Sequence, residues 1–241
     1  MKTAVLLSTS RHPVSGRPAL ARLESQAIGL ATRLGGEIVG IHAGERTDAT
    51  REALGVGLTS VECLEMPADA DPVPALIERL QAEKFDLVLA GRRGQGGLDT
   101  GLVPYLIAKA LDRPIIADAA AIEAGSEAGT IRVDQALKKG ARRRITVRLP
   151  AIVTVHSLAP APAVFAYGAS RRGEIRSLAV AEHAQDAATW AERPYRNRPR
   201  LMRTAGVATG DASEKLHVQP DPQEAAKLIL DYLERNGIRS F

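Results

Sequence analysis

Short apolar runs alternate with longer amphipathic stretches through the first half of this chain, and that alternation constrains the fold more than any other feature. TAVLLS (3–8), EIVGIHAG (37–44), SVECLEM (60–66) and DLVLAG (86–91) have the length and apolarity of strands buried in a sheet. Between the first two, LARLESQAIGLATRLGG carries Leu20, Leu23, Ala27, Leu30, Ala31 and Leu34 at helical spacing and stops at Gly35-Gly36. DATREALGVGL (48–58) reads as a helix capped by Asp48, PVPALIERLQAEKF (72–85) as a third helix and TGLVPYLIAKAL (100–111) as a fourth. Strands joined by crossover helices build a parallel sheet covered on both faces. The expected class is α/β.

The pattern changes after Pro114. TIRVDQAL (130–137) and RRRITVRL (142–149) flank KKGA, which reads as an antiparallel hairpin across a glycine turn. PAIVTVHSL (150–158) is a further apolar strand, able to re-enter the main sheet. From about Leu178 the periodicity fades, and ERPYRNRPRLMR (192–203) reads as an extended, Pro- and Arg-rich segment. The chain closes on DPQEAAKLILDYLERNGI, an amphipathic helix over 221–236 with Asp221 as cap, Pro222 in the first turn and Gly237 as stop. Leu228, Ile229, Tyr232 and Leu233 share one face of it, and a lone helix with such a face needs something to dock on. The expected organisation is a nucleotide-binding-like domain over 1–178 and an extended arm over 179–241.

Composition narrows the function. Aromatic residues are 3% of the 241, so the core must be built from Ala, Val, Leu and Ile. Cys63 stands alone, which rules out an intrachain disulfide and a cysteine-based metal cage, and its alternation with apolar neighbours reads as buried and inert. The N-terminal apolar run is too short for a signal peptide or a membrane span, and a cytoplasmic protein is expected. His12, His42, His156, His183 and His217 are scattered without metal-ligand spacing, and no nucleophile–base pair is evident. The expectation is no metal, no catalytic set and no enzyme. Lys138, Lys139 and Arg142 to Arg144 crowd the hairpin, but a formal charge of +4 with no recognition module argues against nucleic acid.

One loop stands out. Gly91, Gly94, Gly96, Gly97 and Gly101 follow the fourth strand and lead into a helix, the arrangement in which backbone N–H groups and a helix dipole can hold a phosphate. The loop has neither a Walker sequence nor GxGxxG after the first strand, and a plain surface turn also fits it.

In order and wording these segments resemble the β subunit of electron-transfer flavoproteins. The resemblance runs through IHAG, REALGVGLTSV, FDLVLAG, LIAKALDRP, RLPAIVTV and EAAKLILDYL, over residues 1 to about 176 and again over about 213 to 237. It implies an adenine-nucleotide α-hydrolase-like sheet in a heterodimer, whose α subunit holds most of a shared FAD. It also implies docking of flavin-dependent dehydrogenases, transfer of their electrons to a downstream acceptor, and one structural AMP in the β subunit. Ser8, His42 and Ala43 would then lie near the adenosine, and Gly91, Gly94, Thr100, Gly101 and Leu102 around the phosphate. This chain has Asp99 and Leu102 where the family has two glutamines, and compresses the segment after the first strand to RHPVSGRP. The resemblance further implies a partner-recognition loop over 159–178, with Phe165 nearest the hydrophobic anchor and Arg171 and Arg172 in its basic part. Phe165 packed into its own domain is the other reading. The stretch 179–203, with Trp190 as a possible anchor, looks like an extension. The alternative function is a stand-alone adenine-nucleotide sensor of the universal-stress type, whose Gly-x-x-Gly loop GRRG resembles loosely; nucleotide hydrolysis is a third reading.

Overall fold

The computed structural model describes residues 1–67, 70–94, 100–181 and 220–238. They fall in two units that divide near residue 190. In the first, strands β1 (Lys2–Leu7), β4 (Glu37–Ala43), β5 (Ser60–Glu65), β6 (Leu87–Gly91) and β10 (Ala151–Val155) run parallel in one nine-stranded sheet. The remaining strands are β7 (Ile115–Ala124), β8 (Thr130–Ala136), β9 (Arg142–Arg148) and β11 (Glu174–Ala179), and the order is β11-β5-β4-β1-β6-β10-β7-β8-β9. The expected α/β class, the hairpin β8–β9 and the return of 150–158 to the sheet are all found.

Alternation of side chains assigns each strand residue to one of two cores. Val5 and Leu7 of β1 join Leu87, Leu89, Val153 and Val155 under helix α1 (Arg22–Leu34) and helix α2 (Asp48–Gly55). Ala4 and Leu6 join Val88 and Ile152 under helix α3 (Pro72–Ala82) and helix α4 (Val103–Ala110). Helices therefore cover both faces, as a buried parallel sheet requires.

The elements differ from expectation where local chemistry competes. Leu20 lies in a small antiparallel ribbon, β2 (Thr9–Arg11) with β3 (Pro18–Leu20), and α1 starts only at Arg22. Thr47, not Asp48, is the extended residue at the head of α2; Asp48 opens the first turn, where its carboxylate faces the positive end of the dipole. Strand β7 was not anticipated. It pairs in parallel with β10 at its start and antiparallel with β8 at its end. The change falls at an irregularity around Asp118, whose φ is 59°. Strand β11, rich in charge, adds to the outer edge of β5. At the other edge, Arg142, Arg143 and Arg144 line β9, and arginines on an exposed edge oppose pairing with other chains. Arg144 is fixed by a bidentate contact to Asp134 across the hairpin.

In the second unit, helix α6 (Pro222–Arg235) begins at Asp221, whose carboxylate accepts from the Gln223 N–H, and ends before Gly237 at φ 64°. Its Ile229 and Tyr232 are exposed within the described residues. The Pro- and Arg-rich segment over 192–203 and Trp190, both in the extension over 179–203, lie outside the described residues.

Candidate functional site

The crevice between β1 and β6 is the topological switch of this sheet. The chain passes from β1 outward through β4 and β5, then returns to place β6 on the other side of β1. Ligands of open α/β sheets sit outside the carboxyl ends of the strands at such a switch. Ser8 follows β1 and Gly91 ends β6 at this switch, while His42 and Ala43 end β4 on the other side of β1; Leu7 pairs with His42, and Val5 with Leu89.

Their polar groups are already engaged. The Ser8 N–H donates to Glu24 Oε2 at 2.9 Å, and its hydroxyl donates to Glu24 Oε1. The buried His42 ring has Nδ1 3.1 Å from the Leu7 carbonyl and Nε2 3.0 Å from the Glu45 carbonyl, so it ties β1 to the loop after β4. Gly91 lets α1 approach closely: a Cβ there would lie 3.2 Å from the Leu23 Cβ and 3.1 Å from the Arg93 carbonyl.

Glu24 was not singled out from sequence. It is 3% exposed, and burial pushes its carboxyl up to about 8, against the two hydrogen bonds from Ser8 that favour the charged form. The signal was present: Glu24 falls in register with Ala27, Ile28 and Ala31, on the buried stripe of α1, where a charge is out of place.

The two ends of the glycine loop meet. Gly101 has φ 71°, and a Cβ on it would lie 2.7 Å from the Arg92 carbonyl, so only glycine fits where the loop's two ends meet. The Leu102 N–H donates to Thr100 Oγ1 at 3.3 Å, and the Leu102 carbonyl accepts from Tyr105 and Leu106 to begin α4. Thus Leu102, not Thr100, heads that helix. Gly94 precedes residues 95–99, which with Gly96 and Gly97 lie outside the described residues. Arg92 is anchored to the strands: its N–H donates to the Val155 carbonyl, and its Nε lies 3.4 Å from Asp118 Oδ1. The Asp118 N–H in turn donates to Thr154 Oγ1, which explains how the turn at β7 keeps its left-handed residue.

The segment after β10 has the opposite character. Val164 is 92% exposed and Tyr167 70%, and Leu158 is exposed as well. Phe165 is half-exposed, and its ring occupies the space above Gly55, where a Cβ would lie 2.1 Å from the ring. The Ala166 N–H donates to the Gly55 carbonyl and fixes that seat. One face of Phe165 thus packs on its own domain and borders a cavity of about 250 Å³ with Leu20, Ser25, Glu52 and Val56. Arg171 and Arg172 follow, exposed, on the short helix α5 (Tyr167–Arg172). Val164 and Tyr167 were passed over in the sequence because a valine among alanines and prolines carries no periodic signal.

Beside the head of α2 lies an open concavity of about 440 Å³, lined by Pro18, Arg46, Thr47, Asp48, Arg51 and Ile175. Among the described residues, no three His, Cys, Asp or Glu side chains come together to hold a metal ion, and no helix is long and apolar enough to cross a membrane.

Two comparisons with known proteins bear on this arrangement. The family model of the electron transfer flavoprotein domain matches residues 15–183, well over half of the chain. The chain belongs to the electron transfer flavoprotein family. The electron transfer flavoprotein subunit beta of Chromohalobacter salexigens is 39% identical over 215 residues, covering 87% of this chain and 80% of that relative. Family membership decides among the expected functions in favour of the flavoprotein, and the exposed segment after β10 and the glycine loop both fall within the matched region.

Proposed function

We propose that this chain is the β subunit of a heterodimeric electron transfer flavoprotein. It pairs with an α subunit that holds most of a shared FAD, docks flavin-dependent dehydrogenases and lets their electrons pass to a downstream acceptor. Bound FAD supplies the redox chemistry, taking up and releasing electrons. The chain itself makes and breaks no bonds: its residues bind and orient. The observation that carries the reading is the unsatisfied apolar surface after β10, where Val164 and Tyr167 project while Phe165 and the Ala166–Gly55 hydrogen bond hold the segment in place. Exposed aromatic and aliphatic side chains on a fixed backbone are what a partner's hot spot requires. The exposed Arg171 and Arg172 add positive charge that steers an acidic partner surface. Arg46 and Arg51, the latter also donating to the Ser170 carbonyl, line the open concavity at the head of α2 together with Asp48 and offer positive charge to an anionic group of FAD. We place the assembly in the cytoplasm, where the single, buried Cys63 stays reduced.

The structural AMP implied by the resemblance does not fit the adenosine side of the crevice. Ser8 gives both its donors to Glu24, and each nitrogen of His42 faces a carbonyl of the chain. No part of the function is routed through it.

Native purification tests the reading. A second, flavin-bearing subunit is expected to co-elute, and its flavin is expected to bleach on addition of a reduced dehydrogenase. A flavin-free monomer from cells that express both genes would overturn it.

A further inference from the structure

We propose that Glu24 is an internal plug of the nucleotide crevice, taking the donors that a nucleoside monophosphate would use, so that this β subunit keeps its fold without one. The inference rests on the crevice itself and not on the assembly proposed above.

Three features of the molecule converge on it. The first is position. Glu24 lies in the opening turn of α1, and its carboxyl group reaches the residue after β1, at the switch between β1 and β6. That is where an open α/β sheet receives its ligand. The second is engagement. Ser8 offers two donors at this point, one backbone and one side-chain, and both are directed at the same carboxyl group. A carboxyl group in the first turn of a helix, accepting an N–H and a hydroxyl at a strand end, takes the donors that a ligand's oxygen atoms would otherwise accept from. The third is fit. Glu24 is 3% exposed, and its Cγ lies 3.8 Å from where a Cβ on Gly91 would be, so the side chain fills the space between the two strand ends. A ligand entering there must displace a buried group and break both hydrogen bonds. His42 reinforces the closure from the β4 side, since its ring is held between two carbonyls and cannot turn toward a ligand without releasing them.

Acid extraction and calorimetry with AMP, on the full chain purified alone and with its α subunit, test the proposal. The wild-type chain is expected to release no stoichiometric nucleotide, and to bind added AMP no more tightly than Glu24→Gln, which keeps an acceptor against Ser8. Glu24→Ala returns two donors to the crevice and is expected to bind AMP at least about tenfold more tightly. Stoichiometric AMP in the wild-type extract overturns the plug. So does a Glu24→Ala chain, folded by circular dichroism, that binds AMP no better than Glu24→Gln. Should Glu24→Ala fail to fold, Glu24→Asp, whose shorter side chain draws back from Ser8, carries the same expectation and the same refutation. Flavin absorbance and co-elution of the α subunit are read separately, so a failed heterodimer is not mistaken for a failed plug.

Discussion

The crevice at the end of β1 and the segment after β10 treat their functional groups in opposite ways. At the crevice, Ser8, His42, Arg92 and Gly101 all face other parts of the same chain, and a buried carboxyl group completes the set. Beyond β10, Val164 and Tyr167 face outward, and only the backbone and Phe165 are tied down. A nucleotide-binding fold has been turned inward into a scaffold, while the surface that must meet another protein keeps its apolar side chains uncommitted. The same sheet supplies both, since each lies at the carboxyl ends of its parallel strands.

The largest expected effect breaks this contrast at its buried end. Glu24 has a carboxyl group raised to about 8 from 4.5, so between those values the folded state binds a proton that the unfolded state has lost. Stability is then greatest below the lower value and declines as pH rises through the window, the reverse of the behaviour of a salt-bridged carboxylate. At roughly 1.4 kcal/mol for each unit, the full loss is on the order of 5 kcal/mol. Denaturant titrations across that pH range are expected to show the decline in wild type and a flat profile in Glu24→Gln. A wild-type profile as flat as the variant's would mean that the carboxyl group is not buried as described.

The exposed end is expected to respond without any change in folding. Replacing Val164 and Tyr167 together by alanine removes apolar surface that touches little of its own domain, so the melting temperature should stay put. Affinity for the protein partner should fall by about 2 kcal/mol, roughly thirtyfold, as titration against the α subunit or a dehydrogenase would read. Phe165→Ala sharpens the comparison: its ring packs on Gly55, so it should cost both stability and affinity. If Phe165→Ala left the melting temperature unchanged while abolishing binding, Phe165 would be the free anchor after all.

An intermediate effect is expected where the glycine loop closes. Gly101→Ala places a Cβ 2.7 Å from a backbone carbonyl at a positive φ, and backbone cannot step aside as a side chain can. A loss of about 1–3 kcal/mol in chemical unfolding is expected. Gly16→Ala, at φ 67° with nothing nearby, separates the conformational part of that cost from the steric part.

How much of this could be read from residues alone follows from what periodicity records. The parallel strands and the four helices between them are burial patterns, and burial repeats along the chain, so TAVLLS and DLVLAG declared themselves. Ser8 and Gly91 lie where the apolar runs end, whereas their roles, and that of Gly101, come from the resemblance to the family. Strand β7 stayed hidden because IIADAAAIEA mixes alanines with an aspartate and changes neighbours halfway. Strand β11 stayed hidden because an edge strand need not be apolar. The engagement of Ser8 by Glu24 joins residues on two elements, and no linear pattern reports which donor a side chain will find. Glu24 could have been flagged as a charge on a buried stripe; its partner could not.

The smallest effect concerns Asp118, which joins the two halves of the comparison through β7. It holds a left-handed conformation that costs most residues of order 1–3 kcal/mol, yet aspartate tolerates it better than most. It approaches Arg92 of the glycine loop at 3.4 Å, long for a hydrogen bond, so the pair contributes little beyond its Coulomb attraction. Asp118→Gly relieves the backbone and adds unfolded-state freedom, two changes of opposite sign and similar size. The net change in unfolding free energy should therefore stay within about 1 kcal/mol. Asp118→Val, which loses the charge and forces a β-branched residue into the same conformation, should cost clearly more. Equal losses from both variants would assign the cost to the lost contact with Arg92, and the glycine loop would then depend on β7 for its place. A loss confined to the valine variant would assign it to backbone geometry, leaving the loop held by Gly101 and by the Arg92 N–H on the Val155 carbonyl.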